Sequence, residues 1–275
     1  GPAAHRRARP RTQAPYREPE DLRRDQGRRP RAREERPRSA LSFNRSPDLP
    51  FDRSINPYRG CEHGCIYCYA RPSHAFLNLS PGLDFETRLI ARPGIGAVLE
   101  RELRAKSYRA DVMALGTNTD PYQPIEAEYG VMREVLEVLR DFRHPVAITT
   151  RGTLIERDID LLAELAGQGL CRVGISLTTL DAKLSRKMEP RAPAPARRLL
   201  MVERLARAGI PVRAMVAPVI PGLTDHELDA ILAAAQAAVP QARVRPAPRS
   251  HTRKSISDRD LTRASEILAR SGNMR

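Results

Sequence analysis

The chain has 275 residues, enough for one large domain or two small ones, and a formal net charge of +14. Residues 1–40 hold 13 arginines against 6 acidic residues, and residues 239–275 hold 9 basic against 3 acidic. Most of the charge therefore sits in the flanks, the stretch between them is nearly neutral, and charge alone is weak evidence for nucleic-acid binding. Four cysteines are too few for a secreted disulfide scaffold, and no apolar run reaches membrane-spanning or signal-peptide length. Free thiols suit a reducing cytoplasm, and the start at Gly1 rather than methionine is what a fragment would show.

In chain order, residues 1–40 are Arg- and Pro-rich with scarcely any apolar content, and are expected to form a disordered tail. A basic arm on nucleic acid is the sharper alternative. Residues 53–56 are expected to form a short strand that Pro57 ends. Directly after it comes Cys61-Glu-His-Gly-Cys65-Ile-Tyr-Cys68, three of the four cysteines in the spacing C-x3-C-x2-C. Three thiolates this close can converge on one inorganic centre, and soft thiolates favour zinc or an iron–sulfur cluster. Gly60 and Gly64 give this loop backbone freedom. The fourth cysteine, Cys171, is about a hundred residues away, so the loop leaves one metal corner open for chemistry. The alternative is a zinc site completed by His63 or His74.

Beyond the loop, strands and helices alternate. Helical spacing covers residues 95–106, 126–142, 155–167 and 194–208, with a last helix from His226 that Asp225 is placed to cap. Short apolar strands are expected at 111–116, 146–150, 171–177 and 212–219. Strand–helix alternation means β/α units on a parallel sheet, an α/β fold. Every strand ends in Gly, Pro, Thr, Asn or Asp, at the edge where β/α barrels carry their sites.

The cysteine loop, with an aromatic residue (Tyr67) before its last cysteine, resembles the cluster loop of the radical S-adenosylmethionine (SAM) superfamily. Residues 41–235 further resemble the spore photoproduct lyase-like branch, often called DNA repair photolyase-like. The shared features are Thr117-Asn-Thr-Asp-Pro121, Thr149-Thr-Arg151, Ile175-Ser176 and Met215-Val-Ala-Pro218. A bacterial subgroup shares the opening Asn56-Pro-Tyr-Arg-Gly-Cys61-Glu-His-Gly-Cys65. The resemblance implies a partial (β/α)6 barrel and an enzyme, with a lyase as the nearest reaction class. Its cofactors would be a [4Fe-4S] cluster and S-adenosylmethionine, and its partner a one-electron donor of flavodoxin or ferredoxin type. One electron splits the sulfonium, and the resulting 5′-deoxyadenosyl radical abstracts hydrogen from a substrate.

Carried over by position, Cys61, Cys65 and Cys68 would hold the cluster, and Tyr67 would lie beside the adenine through its backbone. Asn118, Thr119 and Asp120 would hold the methionine amino or ribose groups, Arg151 would face the cofactor carboxylate, and Ser176 would also contact the cofactor. The plainer readings are a turn at Asp120-Pro121, a solvated strand end at Arg151 and a buried small residue at Ser176. Glu189-Pro-Arg191 reads equally as a substrate contact or a polar loop, and Cys171 as a small buried residue.

Two departures stand out. Thr117 occupies the position where the lyase quenches its substrate radical with a cysteine, and an alkyl hydroxyl gives up a hydrogen atom poorly, which speaks against thymine-dimer reversal by that route. Residues 243–249, Arg-Val-Arg-Pro-Ala-Pro-Arg, cannot form the sixth strand expected there. Suitable codons read one base later spell Gly-Tyr-Val-Leu-Arg-Leu, so the end from about residue 239 is expected to be frame-shifted and the barrel incomplete at its C-terminus. Three functions are open: a radical SAM enzyme acting on nucleic acid, one modifying RNA, a peptide or a small metabolite, or a zinc-stabilised nucleic-acid-binding module.

Overall fold

The computed structural model describes residues 30–239. The expectations for residues 1–29 and 240–275, the frame-shifted end among them, lie outside the described residues. Nine strands are found among the described residues: β1 (Arg31–Glu34), β2 (Leu41–Phe43), β3 (Arg53–Ile55), β4 (Tyr58–Arg59), β5 (Arg88–Ala91), β6 (Met113–Leu115), β7 (Val146–Thr150), β8 (Cys171–Ser176) and β9 (Val212–Met215). The helices are α1 (Asp84–Thr87), α2 (Ile95–Leu103), α3 (Glu126–Tyr129), α4 (Val131–Asp141), α5 (Ile159–Gly167), α6 (Ala182–Met188), α7 (Pro195–Arg207) and α8 (Leu228–Ala238).

The main sheet runs β2-β3-β6-β7-β8-β9. β2 is antiparallel to β3, and the other five are parallel neighbours joined through helices. This is the expected mixed α/β partial barrel. Across it Ile55, Leu115, Ile148 and Val173 stand in register, and they pack in one cluster with Leu99, Val135, Leu136 and Leu162 of the helices. Each is fully or almost fully buried, which stabilises by about 1.5–3 kcal/mol per side chain.

Several boundaries differ from the sequence reading. The arginine-rich stretch 31–34 is a strand and not part of a disordered tail. Its backbone pairs in parallel with β5, which also carries β4, so the order of this small second sheet is β1-β5-β4. Main-chain pairing and the packing of Ala32 on the core hold it, and neither depends on an apolar side-chain pattern. The helix expected over 126–142 is broken at Gly130, which adopts a left-handed conformation. The strand expected over 212–219 stops at Met215, three residues before Pro218, which has no N–H for a ladder. Asp225 does not cap a helix; its carboxylate accepts from Gly222 N at 2.9 Å. Asp181, in contrast, caps α6, accepting from the N–H groups of Lys183 and Leu184.

Candidate active site

The cysteine loop is built where the two sheets meet. Pro57 ends β3, β4 pairs with β5, and Gly60 then turns the chain at φ 80°. A side chain at Gly60 would strike Leu89, His74 and the carbonyl of Phe85, so only glycine fits. Cys61 N donates to Phe85 O (2.9 Å), and the Arg71 guanidinium grips Cys65 O (3.0 and 3.2 Å) while pairing with Glu86. From the other side, buried Gln123 receives Glu62 N (2.9 Å) and donates to Gly60 O (3.1 Å), while Glu62 accepts from Ile125 N (2.7 Å). The loop after β6 thus clamps the cysteine loop through a side chain to which the sequence reading gave no role.

One pocket at the C-terminal ends of the parallel strands is lined by Cys61, Cys65, Cys68, His63, Tyr69, Gly116, Asn118, Thr119, Asp120, Thr149, Thr150, Arg151 and Ser176. Eight of the nine residues singled out in the sequence meet there. The ninth, Tyr67, sends its phenol instead to Glu189 and Thr178 (3.1 Å to Thr178 Oγ1).

The polar residues around this pocket differ in what they have left to offer. Asp120 is a tie: one carboxylate oxygen accepts from Tyr122 N (2.9 Å) and Thr150 Oγ1 (2.5 Å), the other from Arg151 N (2.9 Å), with His63 Nδ1 3.4 Å away. Burial raises its pKa, but His63, Thr150 and Arg151 outweigh it and hold the carboxyl well below the usual range. Thr119 donates to Tyr58 O (2.8 Å). The side chains of Asn118 and Ser176 make no hydrogen bond among the described residues. Arg151 Nη1 lies 2.9 Å from Cys65 Sγ, 2.8 Å from the Tyr67 hydroxyl and 2.7 Å from Glu189 Oε1. Glu189 is buried and also bonded to Thr178 (3.0 Å) and Arg198. The Glu189-Pro-Arg191 segment is thus more than a polar loop. Burial raises the Glu189 pKa, but Arg198 and Arg151 prevail and hold it below its ordinary value.

The donor set decides what the cysteines can hold. Burial pushes the Cys61 thiol up, the charges of Asp120 and Cys65 adding to it, and pushes Cys65 up to about 11 against the pull of Arg151. As thiolates they repel one another, so they need a cationic group between them. Cys171 is in the core, as expected, which leaves three soft donors and an open corner. His74, one fourth ligand of the zinc alternative, lies outside the pocket, its Nε2 3.0 Å from Arg88 O. His63 lines the pocket but faces Asp120. Among the described residues no three Cys, His, Asp or Glu side chains are grouped to hold a single metal ion. The three-sulfur wall with an open side fits a cluster better than it fits a closed zinc site.

An incomplete β/α barrel with three cysteines from one loop at its mouth defines a class of cofactor-dependent α/β enzyme. The chain belongs to the radical SAM superfamily, whose family profile matches residues 55–235. Membership implies an enzyme with S-adenosylmethionine and a [4Fe-4S] cluster as cofactors. The chain is 43% identical over 196 residues to an uncharacterized protein of Mycobacterium tuberculosis, covering 70% of this chain and 58% of that protein. It therefore spans less than two thirds of that relative's length. Among solved structures it resembles spore photoproduct lyase complexed with dinucleoside spore photoproduct, with a TM-score of 0.56 and 14% identity, covering 87% of this chain and 78% of the other. It also resembles Streptococcus suis SuiB bound to S-adenosylmethionine, with a TM-score of 0.50 and 18% identity, covering 78% and 46%. At these identities the two structures speak for the fold. Among the described residues no helix is long and apolar enough to cross a membrane.

Proposed function

We propose that this protein uses Cys61, Cys65 and Cys68 to hold a [4Fe-4S] cluster, and the rest of the pocket to hold S-adenosylmethionine against its open corner. The observation that carries this is that three cysteines, two buried and one half-buried, line one pocket at the strand ends together with Asn118, Ser176 and Arg151. When bound, the cluster supplies the electron that cleaves S-adenosylmethionine and so starts hydrogen abstraction from a substrate.

The chain's own contributions depend on which groups are spent and which are free. Asn118 and Ser176 have free polar side chains for the cofactor's polar groups. Arg151 offers a guanidinium that a carboxylate can recruit, because its side-chain bonds to Cys65, Tyr67 and Glu189 all leave from Nη1, and Nη2 donates to no acceptor among the described residues. Asp120 and Thr119 fix the loop that presents Asn118 and do not reach for the ligand. Tyr67 serves from behind the pocket, as a partner of Arg151 and Glu189.

Nucleic acid is the proposed substrate class, by analogy with the fold of spore photoproduct lyase. Thr117 stands against the lyase's own quenching step; its carbonyl accepts a hydrogen bond from Tyr69. The electron is proposed to come from a cytoplasmic flavodoxin- or ferredoxin-like donor.

The test is anaerobic reconstitution with iron and sulfide, then dithionite and S-adenosylmethionine, with 5′-deoxyadenosine read by mass spectrometry. Wild type is expected to give product and Cys65→Ala none. Zinc uptake in place of iron, with no product, would overturn the proposal.

A further inference from the structure

We infer that the buried Arg198–Glu189 pair is a positioning element that fixes the charge and the hydrogen-bond donor at Cys65 Sγ, and so sets how readily the centre held there accepts an electron. The inference rests on the function proposed above and concerns the chain's own residues behind the pocket.

Arg198 belongs to α7, and only 1% of its side chain is exposed. Its guanidinium donates from all three nitrogens: Nε to Pro193 O (2.7 Å), Nη1 to Ser176 O (3.1 Å) and Nη2 to Glu189 Oε2. It thereby ties the end of β8 to the segment that leads into α7. Glu189, equally buried, turns its second oxygen to Arg151, Thr178 and Tyr67. Arg151 reaches Cys65 Sγ from there. The chain Arg198–Glu189–Arg151–Cys65 thus runs from a helix behind the pocket to a candidate cluster ligand.

The two guanidiniums are balanced by the carboxylates of Glu189 and Asp120, the second 4.0 Å from Arg151 Nε, in a nearly dry region where each charge is weakly screened. Positive charge and N–H donors beside a cluster sulfur favour the reduced state. Without the Arg198 charge, the region becomes more negative by one unit and Glu189 competes harder for Arg151, drawing it off Cys65. Without the Glu189 charge, the region becomes more positive by one unit and Arg151 Nη1 is left to Cys65 and Tyr67. The two substitutions therefore act in opposite directions. A buried pair with only a structural role would give no such opposition, because losing either partner simply loosens the site.

The experiment is an EPR-monitored redox titration of the reconstituted full chain as wild type, Arg198→Gln, Arg198→Lys and Glu189→Gln. Arg198→Gln should make reduction at least tenfold less favourable, a drop of about 59 mV for one electron, and Glu189→Gln should raise the potential by a similar amount. Arg198→Lys, which keeps the charge, should stay within about threefold of wild type, under about 30 mV. Shifts of the same sign in Arg198→Gln and Glu189→Gln, or no shift, would overturn the inference. If Arg198→Gln takes up no iron, Glu189→Gln decides alone, and an unchanged or lowered potential there refutes it. A wild type without iron–sulfur cluster would refute the proposed function and this inference with it, whereas a cluster indifferent to the pair refutes this inference only.

Discussion

Replacing Asp120 by asparagine exchanges one oxygen for an NH2 group and removes one charge from a nearly buried position. The donors around the carboxylate set the cost. One carboxylate oxygen serves Tyr122 N and Thr150 Oγ1, the other serves Arg151 N. With the amide nitrogen toward Arg151, that backbone N–H faces a donor. With the amide flipped, the Thr150 hydroxyl can turn and accept, but Tyr122 N–H cannot. Either orientation leaves one backbone N–H unsatisfied, which costs about 1–3 kcal/mol. The loss of the charge strips the charge assistance from the remaining bonds to this side chain, worth about 1.5–3 kcal/mol. The sum, about 2.5–6 kcal/mol, brackets the cost of breaking a buried ionic arrangement.

At about 2–4 °C per kcal/mol for a domain of this size, the cluster-free Asp120→Asn protein should melt at least about 5 °C below wild type. Urea unfolding at neutral pH, followed by circular dichroism, gives the free energy directly. A loss below about 1 kcal/mol would refute the reasoning, because the carboxylate would then not be consumed by these donors. If weaker S-adenosylmethionine binding accompanied that small loss, Asp120 would instead be the ligand-holding group that the sequence pattern suggests.

Gly116 and Glu156 give two further expected outcomes. Gly116 has φ 82°, and a Cβ there would run into the Thr149 carbonyl oxygen, so Gly116→Ala should cost at least about 2 kcal/mol in urea unfolding; a change within about 0.5 kcal/mol, the scatter of surface substitutions, counts against the geometry. Glu156 is paired with Arg197 and Arg204, which outweigh burial and hold its pKa below the ordinary 4.5. Its contribution is present above pH 4.5 and is lost as the pH falls through the lowered value. Both arginines are half exposed, so Glu156→Gln should cost about 1 kcal/mol or less near neutrality and nothing near pH 2; a gap that widens in acid would contradict it.

What could be read beforehand is what side-chain pattern encodes. The strand–helix alternation, the three cysteines and the strand-end residues Asn118, Arg151 and Ser176 are all features of local sequence, and the structure gathers these residues in one pocket. β1 was not legible, because its partner is a backbone and its side chains are those of a polar tail. Arg198 was hidden among arginines. Its neighbour Arg197 is 36% exposed and Arg198 only 1%, a difference fixed by about 100° of helical rotation. One signal was available, since Arg198, Met201, Val202 and Leu205 fall at i, i+3, i+4 and i+7, and a charge at the head of a buried stripe asks for a buried partner. Asp120 was legible as important, but its three bonds inside the protein were not, because their donors come from the end of β7, the residue after it and the turn that Asp120 begins.

The distinction between consumed and free groups also orders what substitutions at the pocket should do to ligand binding. A side chain with every bond made inside the protein can lose a ligand only by letting its neighbours move, so its substitution lowers stability and affinity together. Asn118 and Ser176 have no internal bonds to lose from their side chains among the described residues, and both line the pocket. Asn118→Ala and Ser176→Ala should therefore leave the stability of the cluster-free protein within about 0.5 kcal/mol of wild type in urea unfolding. Each should weaken S-adenosylmethionine binding to the reconstituted protein by about 5–15-fold, the worth of one neutral hydrogen bond of about 1–1.5 kcal/mol. Calorimetry on the reconstituted protein and unfolding on the cluster-free protein separate the two quantities. Equal losses of stability and affinity at Asn118 would make it a structural group like Asp120, and the polar end of the ligand would then have to be held by Arg151 and backbone groups of the cysteine loop.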